Sequence, residues 1–210
     1  MIPIQNIYYM LSYAFQILNE QGYRNIATEK FNNTAELMAA ILEKGIANQL
    51  KRGLCKEYIP QTEALSSLRG KIDIAESIKT QSMLRKQLIC TYDEFSVNST
   101  MNQIIKSTVE LLLCSNISKK RKKNLRKLMI YFGEVDFIDL HTVNWNVQYN
   151  RNNQTYRMLI SICYLVVKGL LQTQSDGSKK LMDFLDEQRM CRLYEKFILE
   201  YYRKEFKNQI

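Results

Sequence analysis

Apolar residues recur at helical spacing from the start of the chain. Ile7, Met10, Leu11, Ala14, Phe15 and Leu18 fall on one side of a helix drawn over residues 4–19. Residues 21–32 read as a loop. Asn33-Thr34-Ala35-Glu36 then has the layout of a capping box with Asn in the cap position. The helix it opens carries a stripe at Met38, Leu42, Ile46 and Leu50 and stops near Gly53. Over the next forty or so residues the period shortens. Residues 55–66, 68–74 and 86–97 contain short alternating runs, such as Leu88, Cys90 and Tyr92, with a short helix between them over residues 75–83. A small antiparallel sheet is the simplest assembly of these runs. Ser99 caps a further helix whose inner face is Met101, Ile104, Ile105, Thr108, Val109 and Leu112. A charged stretch leads into Leu125, Leu128, Met129 and Phe132, again helical. Residues 141–149 alternate weakly and predict a strand or an extended loop, and residues 150–153 a turn. A strongly apolar helix over residues 156–172 belongs at the centre. Residues 173–180 are the best linker candidate, and a last helix turns Met190, Leu193, Tyr194, Phe197, Ile198 and Tyr201 inward. The fold class is α+β, mostly helical, with a small antiparallel sheet in the 55–97 region.

Composition supports long helices: 210 residues contain only 7 Gly and 2 Pro. That length suits one medium domain or two small ones. Charge changes the picture more. There are 30 Lys+Arg against 21 Asp+Glu, a net +9, and residues 118–127 (SKKRKKNLRK) hold seven of the bases and no acid, leaving +2 (9 − 7) for the rest. A near-neutral body therefore carries one basic patch: Lys119, Lys120, Arg121, Lys122, Lys123, Arg126 and Lys127. Such a patch neutralises DNA phosphates or is simply a solvated helix face, and with no aromatic residue between Lys119 and Lys127 base stacking is not indicated.

Five scattered cysteines without a C-x-x-C pair read as buried free thiols in a reducing compartment. The start of the chain has no signal-peptide pattern, and the longest apolar run, residues 162–167, is far short of a membrane span. The expected location is the cytoplasm, with no membrane partner.

Candidate chemistry is sparse. The one histidine, His141, has no neighbouring nucleophile and no zinc-spaced cysteines. No phosphate-binding glycine motif occurs, so nucleotide hydrolysis would have to belong to a partner. A metal-dependent nuclease needs carboxylates for Mg²⁺ and commonly an acidic-x-Lys strand. The only acidic-x-Lys spacing is Glu205-Phe206-Lys207, at the end of a helix, where chance spacing is the better reading. In Arg69-Gly70-Lys71, glycine permits a tight turn or bulge between strands, flanked by two cations.

Four stretches, in order, carry a resemblance: Ile2-Pro3-Ile4-Gln5-Asn6-Ile7-Tyr8-Tyr9-Met10-Leu11; Leu68-Arg69-Gly70-Lys71-Ile72-Asp73-Ile74; Cys90-Thr91-Tyr92-Asp93-Glu94-Phe95-Ser96 followed by the helix led by Asn102; and Leu193-Tyr194-Glu195-Lys196-Phe197-Ile198. Together they resemble the McrC family, the nuclease subunit of McrBC-type restriction systems that act on 5-methylcytosine DNA. The resemblance implies residues 1–175 as a domain that binds and stimulates a McrB-like AAA+ GTPase ring. It implies residues 176–210 as a linker and the opening helix of a nuclease domain whose PD-(D/E)xK core is missing here. Glu195 then matches only a supporting position, and the chain has no catalytic or metal-binding set of its own. GTP belongs to the partner and Mg²⁺ to a complete nuclease. Arg69 and Lys71 are candidate contacts to the ring, the alternative being a structural hairpin with solvated ends, and the basic patch is a candidate contact to DNA. The alternatives are an endonuclease subunit completed by a separate polypeptide and a stand-alone DNA-binding module.

Overall fold

The stripes read from the sequence become the inner faces of packed helices. The structure is a computed structural model and describes residues 4–14, 23, 26, 29, 31, 33–151, 153–175, 195 and 197–203. In chain order these form α1 (Ile4–Ala14), α2 (Thr34–Arg52), β1 (Glu57–Leu65), β2 (Lys71–Asp73), α3 (Ile74–Lys79), a 3-10 turn (Ser82–Arg85), β3 (Leu88–Ser96), α4 (Thr100–Cys114), α5 (Lys119–Met129), a second 3-10 turn (Ile130–Phe132) and α6 (Tyr156–Ser175). The class is α+β, as the periodicity predicts. No helix among the described residues is long and apolar enough to cross a membrane.

The helical body is built on α6, which packs on α4 and α2, while α2 also meets α5 and α1. Leu37, Ile41 and Leu42 of α2, Ile104, Ile105 and Leu112 of α4, and Ile162 and Val166 of α6 are fully buried. Each such side chain contributes about 1.5–3 kcal/mol relative to exposure. Of the predicted α2 stripe, Met38, Leu42 and Ile46 are buried and Leu50 only half so. Gly53 ends α2 with φ +93°, its N–H donating to Leu50 O.

Some of the expected local features hold and others are corrected. Asn33 caps α2, its Oδ1 accepting from Glu36 N at 2.7 Å. The returning half of the box is not made, because the Glu36 carboxylate turns to Ser118 instead. The helix expected over residues 75–83 is split at Gln81, which is left-handed (φ 52°). Of the strand or extended loop expected over residues 141–149 the structure shows the loop, which pairs with no strand among the described residues. Val143, Trp145, Val147 and Tyr149 pack on the core in alternation, and the Trp145 ring meets Tyr164 of α6 edge-on at 5.2 Å. The first three residues of the expected linker, 173–175, are still helical. The rest of that linker, most of the loop over 21–32, and Phe15, Leu18, Leu193 and Tyr194 lie outside the described residues.

In the sheet, β3 is central, with β1 and β2 both antiparallel to it. Thr62 of β1 and Lys71 of β2 both stand opposite Thr91. Consecutive strands β1 and β2 are therefore not a hairpin, and residues 66–70 carry the chain across β3 from one side to the other.

Candidate functional site

The strands and the turn between α3 and β3 form a module spanning Glu57 to Ser96, and its root is a buried polar clasp. Asn102, at the start of α4, donates through Nδ2 to Cys55 O (2.9 Å) and Val97 O (2.7 Å), the points where the chain enters and leaves the module. Tyr156, at the start of α6, donates its hydroxyl to Asn102 Oδ1 (2.7 Å) and accepts from Cys55 N (2.8 Å). Both side chains are fully buried. Burial pushes the Tyr156 hydroxyl pKa well above its ordinary value, which keeps it a neutral donor. With every polar group in the clasp partnered, it fixes the two ends of the module to two helices of the body.

Within the module the crossover explains Arg69-Gly70-Lys71. Gly70 has φ +68°, and a Cβ there would lie 2.3 Å from Thr91 O and 2.7 Å from Tyr92 Cβ. Only glycine lets residues 66–70 pass this close over β3. The Arg69 guanidinium carbon lies over the Tyr92 ring, 3.9 Å from its centre, and the Tyr92 hydroxyl bonds to Glu63. That bond raises the Tyr92 pKa. Arg69 and Lys71 are both exposed, and Arg69 alone of the two has a ring beneath it among the described residues.

Small polar groups, not an apolar core, hold the remainder of the module. Ser77 Oγ donates to Asp73 O (2.6 Å) and accepts from Ile89 N (2.8 Å), and Ser82 Oγ donates to Ser77 O (3.3 Å). Large apolar side chains point outward: Tyr58, Leu68, Ile74, Ile78, Met83, Leu84 and Phe95 are all more than half exposed. Met83 and Leu84 sit on a turn bracketed by two left-handed non-glycine residues, Gln81 (φ 52°) and Lys86 (φ 57°). Each left-handed residue costs about 1 kcal/mol, and paired strain that displays two exposed apolar side chains points to a contact surface.

The basic helix α5 divides into two faces. Arg121 turns inward to Glu43 (2.8 Å), Glu29 (2.7 Å) and Glu36 (3.4 Å), and Asn124 donates to Glu43 (2.9 Å). Burial works against the Arg121 charge, but the bonds from Glu43 and Glu29 outweigh it and its pKa is raised. Arg121 is therefore an internal anchor and leaves the set of DNA-contact candidates. Glu36 also accepts from Ser118 N (2.7 Å) and Ser118 Oγ (2.8 Å), so a carboxylate from α2 sits at the start of α5. Lys119, Lys120, Lys123, Arg126 and Lys127 are exposed, and Lys122 is half-buried.

Sequence reasoning missed the clasp and the three glutamates. The signals were a polar Asn102 beside inward Met101, and acids at a spacing of seven (Glu29, Glu36, Glu43). His141 is exposed. Glu195 is exposed and helical, and two positions on Phe197 meets Tyr9 of α1 at 6.4 Å. Among the described residues no three His, Cys, Asp or Glu side chains are grouped to hold a metal ion.

A family model described as McrBC 5-methylcytosine restriction system component matches residues 5–210. The chain is 31% identical over 213 residues to the type IV methyl-directed restriction enzyme EcoKMcrBC of Escherichia coli (strain K12), covering 97% of this chain and 60% of that protein. It therefore spans less than two thirds of the length of that curated relative. Its fold is similar to a chain in the cryo-EM structure of the Thermococcus gammatolerans McrBC complex (TM-score 0.62, 19% identity, 96% of this chain and 58% of that one). It is also similar to a chain in a half-complex from a tetradecameric assembly of McrB AAA+ hexamers with bound McrC from the same organism (TM-score 0.59, 18% identity, 93% and 47%).

Proposed function

Because the chain belongs to the McrBC 5-methylcytosine restriction system component family, we propose that it docks on a McrB-like AAA+ GTPase ring through the β1–β3 module and stimulates GTP hydrolysis there. One observation carries the reading: the module turns large apolar side chains to solvent while its root is locked to the body. An exposed apolar surface on a fixed mount is what a protein partner covers. A solved relative described as McrB AAA+ hexamers with bound McrC supports the choice of partner.

In this reading residues 1–175 are the partner-binding domain, and residues 176–210 are a linker and the opening helix of a nuclease domain. GTP is the ring's ligand. Arg69, lying over the Tyr92 ring, or Lys71 supplies positive charge near the GTPase ring's phosphates, where a cation given in trans stabilises phosphoryl transfer. The described residues offer no grouped carboxylates that fit Mg²⁺. Cytoplasmic residence is part of the proposal, and the four described cysteines, all free, support it.

The test is GTP hydrolysis by a cognate ring with wild-type chain, Arg69→Ala and Lys71→Ala, with ring binding measured in parallel. Lost stimulation with retained binding by either variant supports the role of that cation, and full stimulation by both removes it. A Met83→Ser/Leu84→Ser variant should lose ring binding itself, and unchanged binding would remove the module from the interface.

A further inference from the structure

Helix α5 breaks several rules of helix electrostatics at once. Its first turn is basic and has no acidic residue of its own to meet the positive end of the helix dipole. Lys119 and Lys123, Lys123 and Lys127, and Lys123 and Arg126 are like-charge neighbours at i,i+4 or i,i+3, each pair unfavourable by a few tenths of a kcal/mol or about 0.5 at most. Alone, this sequence would be a poor helix. The body holds it in place from behind. Ser118 caps it, Glu36 brings a carboxylate to its start, Arg121 is clamped by three glutamates, and Leu125 is fully buried.

All of the available compensation is thus on the inner side. On the outer side Lys119, Lys120, Lys123, Arg126 and Lys127 are exposed, and among the described residues none of them makes an ion pair. At 3.6 residues per turn these five share one outward sector. From Lys119 to Lys127 the helix rises about 12 Å, a length over which duplex DNA carries about seven phosphate charges. The one amide of the helix, Asn124, is turned to Glu43, and no aromatic residue lies on this stretch. The face offers charge without base stacking or amide base readout.

We propose that the outer face of α5 is a binding surface for the phosphate backbone of duplex DNA, sequence-independent and separate from the β1–β3 module. Charge complementarity selects the ligand: a helix-borne row of cations, without ion pairs among the described residues, matches a polyanion of regular charge spacing. Its role is to hold the DNA near the restriction assembly, whatever base is recognised elsewhere.

The experiment is binding of the 210-residue chain to a short unmodified duplex, by fluorescence anisotropy over a salt series and without any ring. Lys119, Lys123 and Lys127 are changed together to Gln in one variant and together to Arg in a second. A third variant changes Lys51, Arg52 and Lys79 to Gln as a charge-matched control. If each of the three lysines meets a phosphate, the Gln variant should lose about 2.7 from the slope of log affinity against log salt. Between about 50 and 200 mM salt the wild type should then lose about 40-fold more affinity than this variant. The Arg variant should keep the wild-type slope, and the control should change it little. An unchanged slope in the Gln variant would overturn the proposal, as would an equal loss in the control. So would ring binding lost in the Gln variant at an unchanged DNA slope, which would assign the face to an acidic protein surface. No ring takes part in the DNA measurement, so its failure leaves the docking proposal standing.

Discussion

On the inner faces of α2, α4 and α6 leucine and isoleucine are fully buried, whereas in the β1–β3 module Leu68, Ile74 and Ile78 are 61–62% exposed and Leu84 81%. The same residue types meet opposite fates within one chain. In the body, apolar area removed from water supplies the stability. In the module, Cys90 is the only hydrophobic residue among those recorded as buried, and serine hydroxyls, the Arg69–Tyr92 contact and strand pairing hold the structure. Such a module has little core of its own, so its order depends on the clasp at its root. The difference separates a part built for stability from a part built for contact.

The clasp is where the comparison breaks most easily. Asn102→Ala removes donors to Cys55 O and Val97 O and the acceptor of the Tyr156 hydroxyl. Each buried group left unpartnered costs about 1–3 kcal/mol, so the variant should lose about 3 kcal/mol or more by urea denaturation. Hydrogen exchange should rise first across residues 57–96. If body and module lose protection together, the module is not the weaker unit and the contrast drawn here fails.

Gly70→Ala acts inside the module alone. The new Cβ meets the Thr91 carbonyl at 2.3 Å, and the residue sits at φ +68°. A loss of about 2 kcal/mol is expected for the module from the left-handed backbone and the backbone contact together. Amide exchange in β2 and β3 should speed up, with protection in α2, α4 and α6 unchanged. Wild-type exchange in β3 would show that the crossover can relax away from the strand.

The body was more legible in the sequence than the module, and the reason is physical. Helical stripes such as Met101, Ile104, Ile105, Val109 and Leu112 record burial directly, because the residues that repeat are the ones that face the core. Asn33 and Ser99 announced their helices because capping is local chemistry. The strands of the module were placed from alternation, but their order β1-β3-β2 was not, since which edge a strand joins leaves no periodic trace. In the sequence Asn102 shows only as the lead of a helix, because a buried amide looks like a surface one until its partners are known. Arg121 could have been assigned: it lies four residues before the buried Leu125, on the same side of α5, and the seven-residue spacing of Glu29, Glu36 and Glu43 supplies its partners. Charge density alone hid that phase.

Tyr156→Phe removes one hydroxyl from the clasp and leaves Asn102 bonded to both carbonyls. Cys55 N loses its acceptor and Asn102 Oδ1 its donor. A loss of about 2 kcal/mol is expected, smaller than for Asn102→Ala. In a double-mutant cycle the two losses should be non-additive, because each single variant already breaks the bond between the Tyr156 hydroxyl and Asn102 Oδ1. Additive losses would mean that the two residues hold the module independently.

The cysteines offer the gentlest test, because they need no mutation. Cys114 is exposed on α4, Cys90 is fully buried in the module, and Cys163 is fully buried in α6. Burial pushes the Cys163 thiol pKa up to about 12, so the reactive thiolate forms there only when the body opens. Cys114 should therefore be alkylated at once by N-ethylmaleimide and Cys163 only at the rate of global unfolding. Cys90 decides the comparison. If the module opens on its own with a free energy about 1.4 kcal/mol or more below that of the body, Cys90 reacts at least about tenfold faster than Cys163. Adding the cognate ring should slow Cys90 and bring its rate to that of Cys163, since a covered module has no separate opening. Equal rates for Cys90 and Cys163 in the free chain would show that clasp and sheet rise and fall with the helical core, and the module would then be an outgrowth of the body instead of a separate working part.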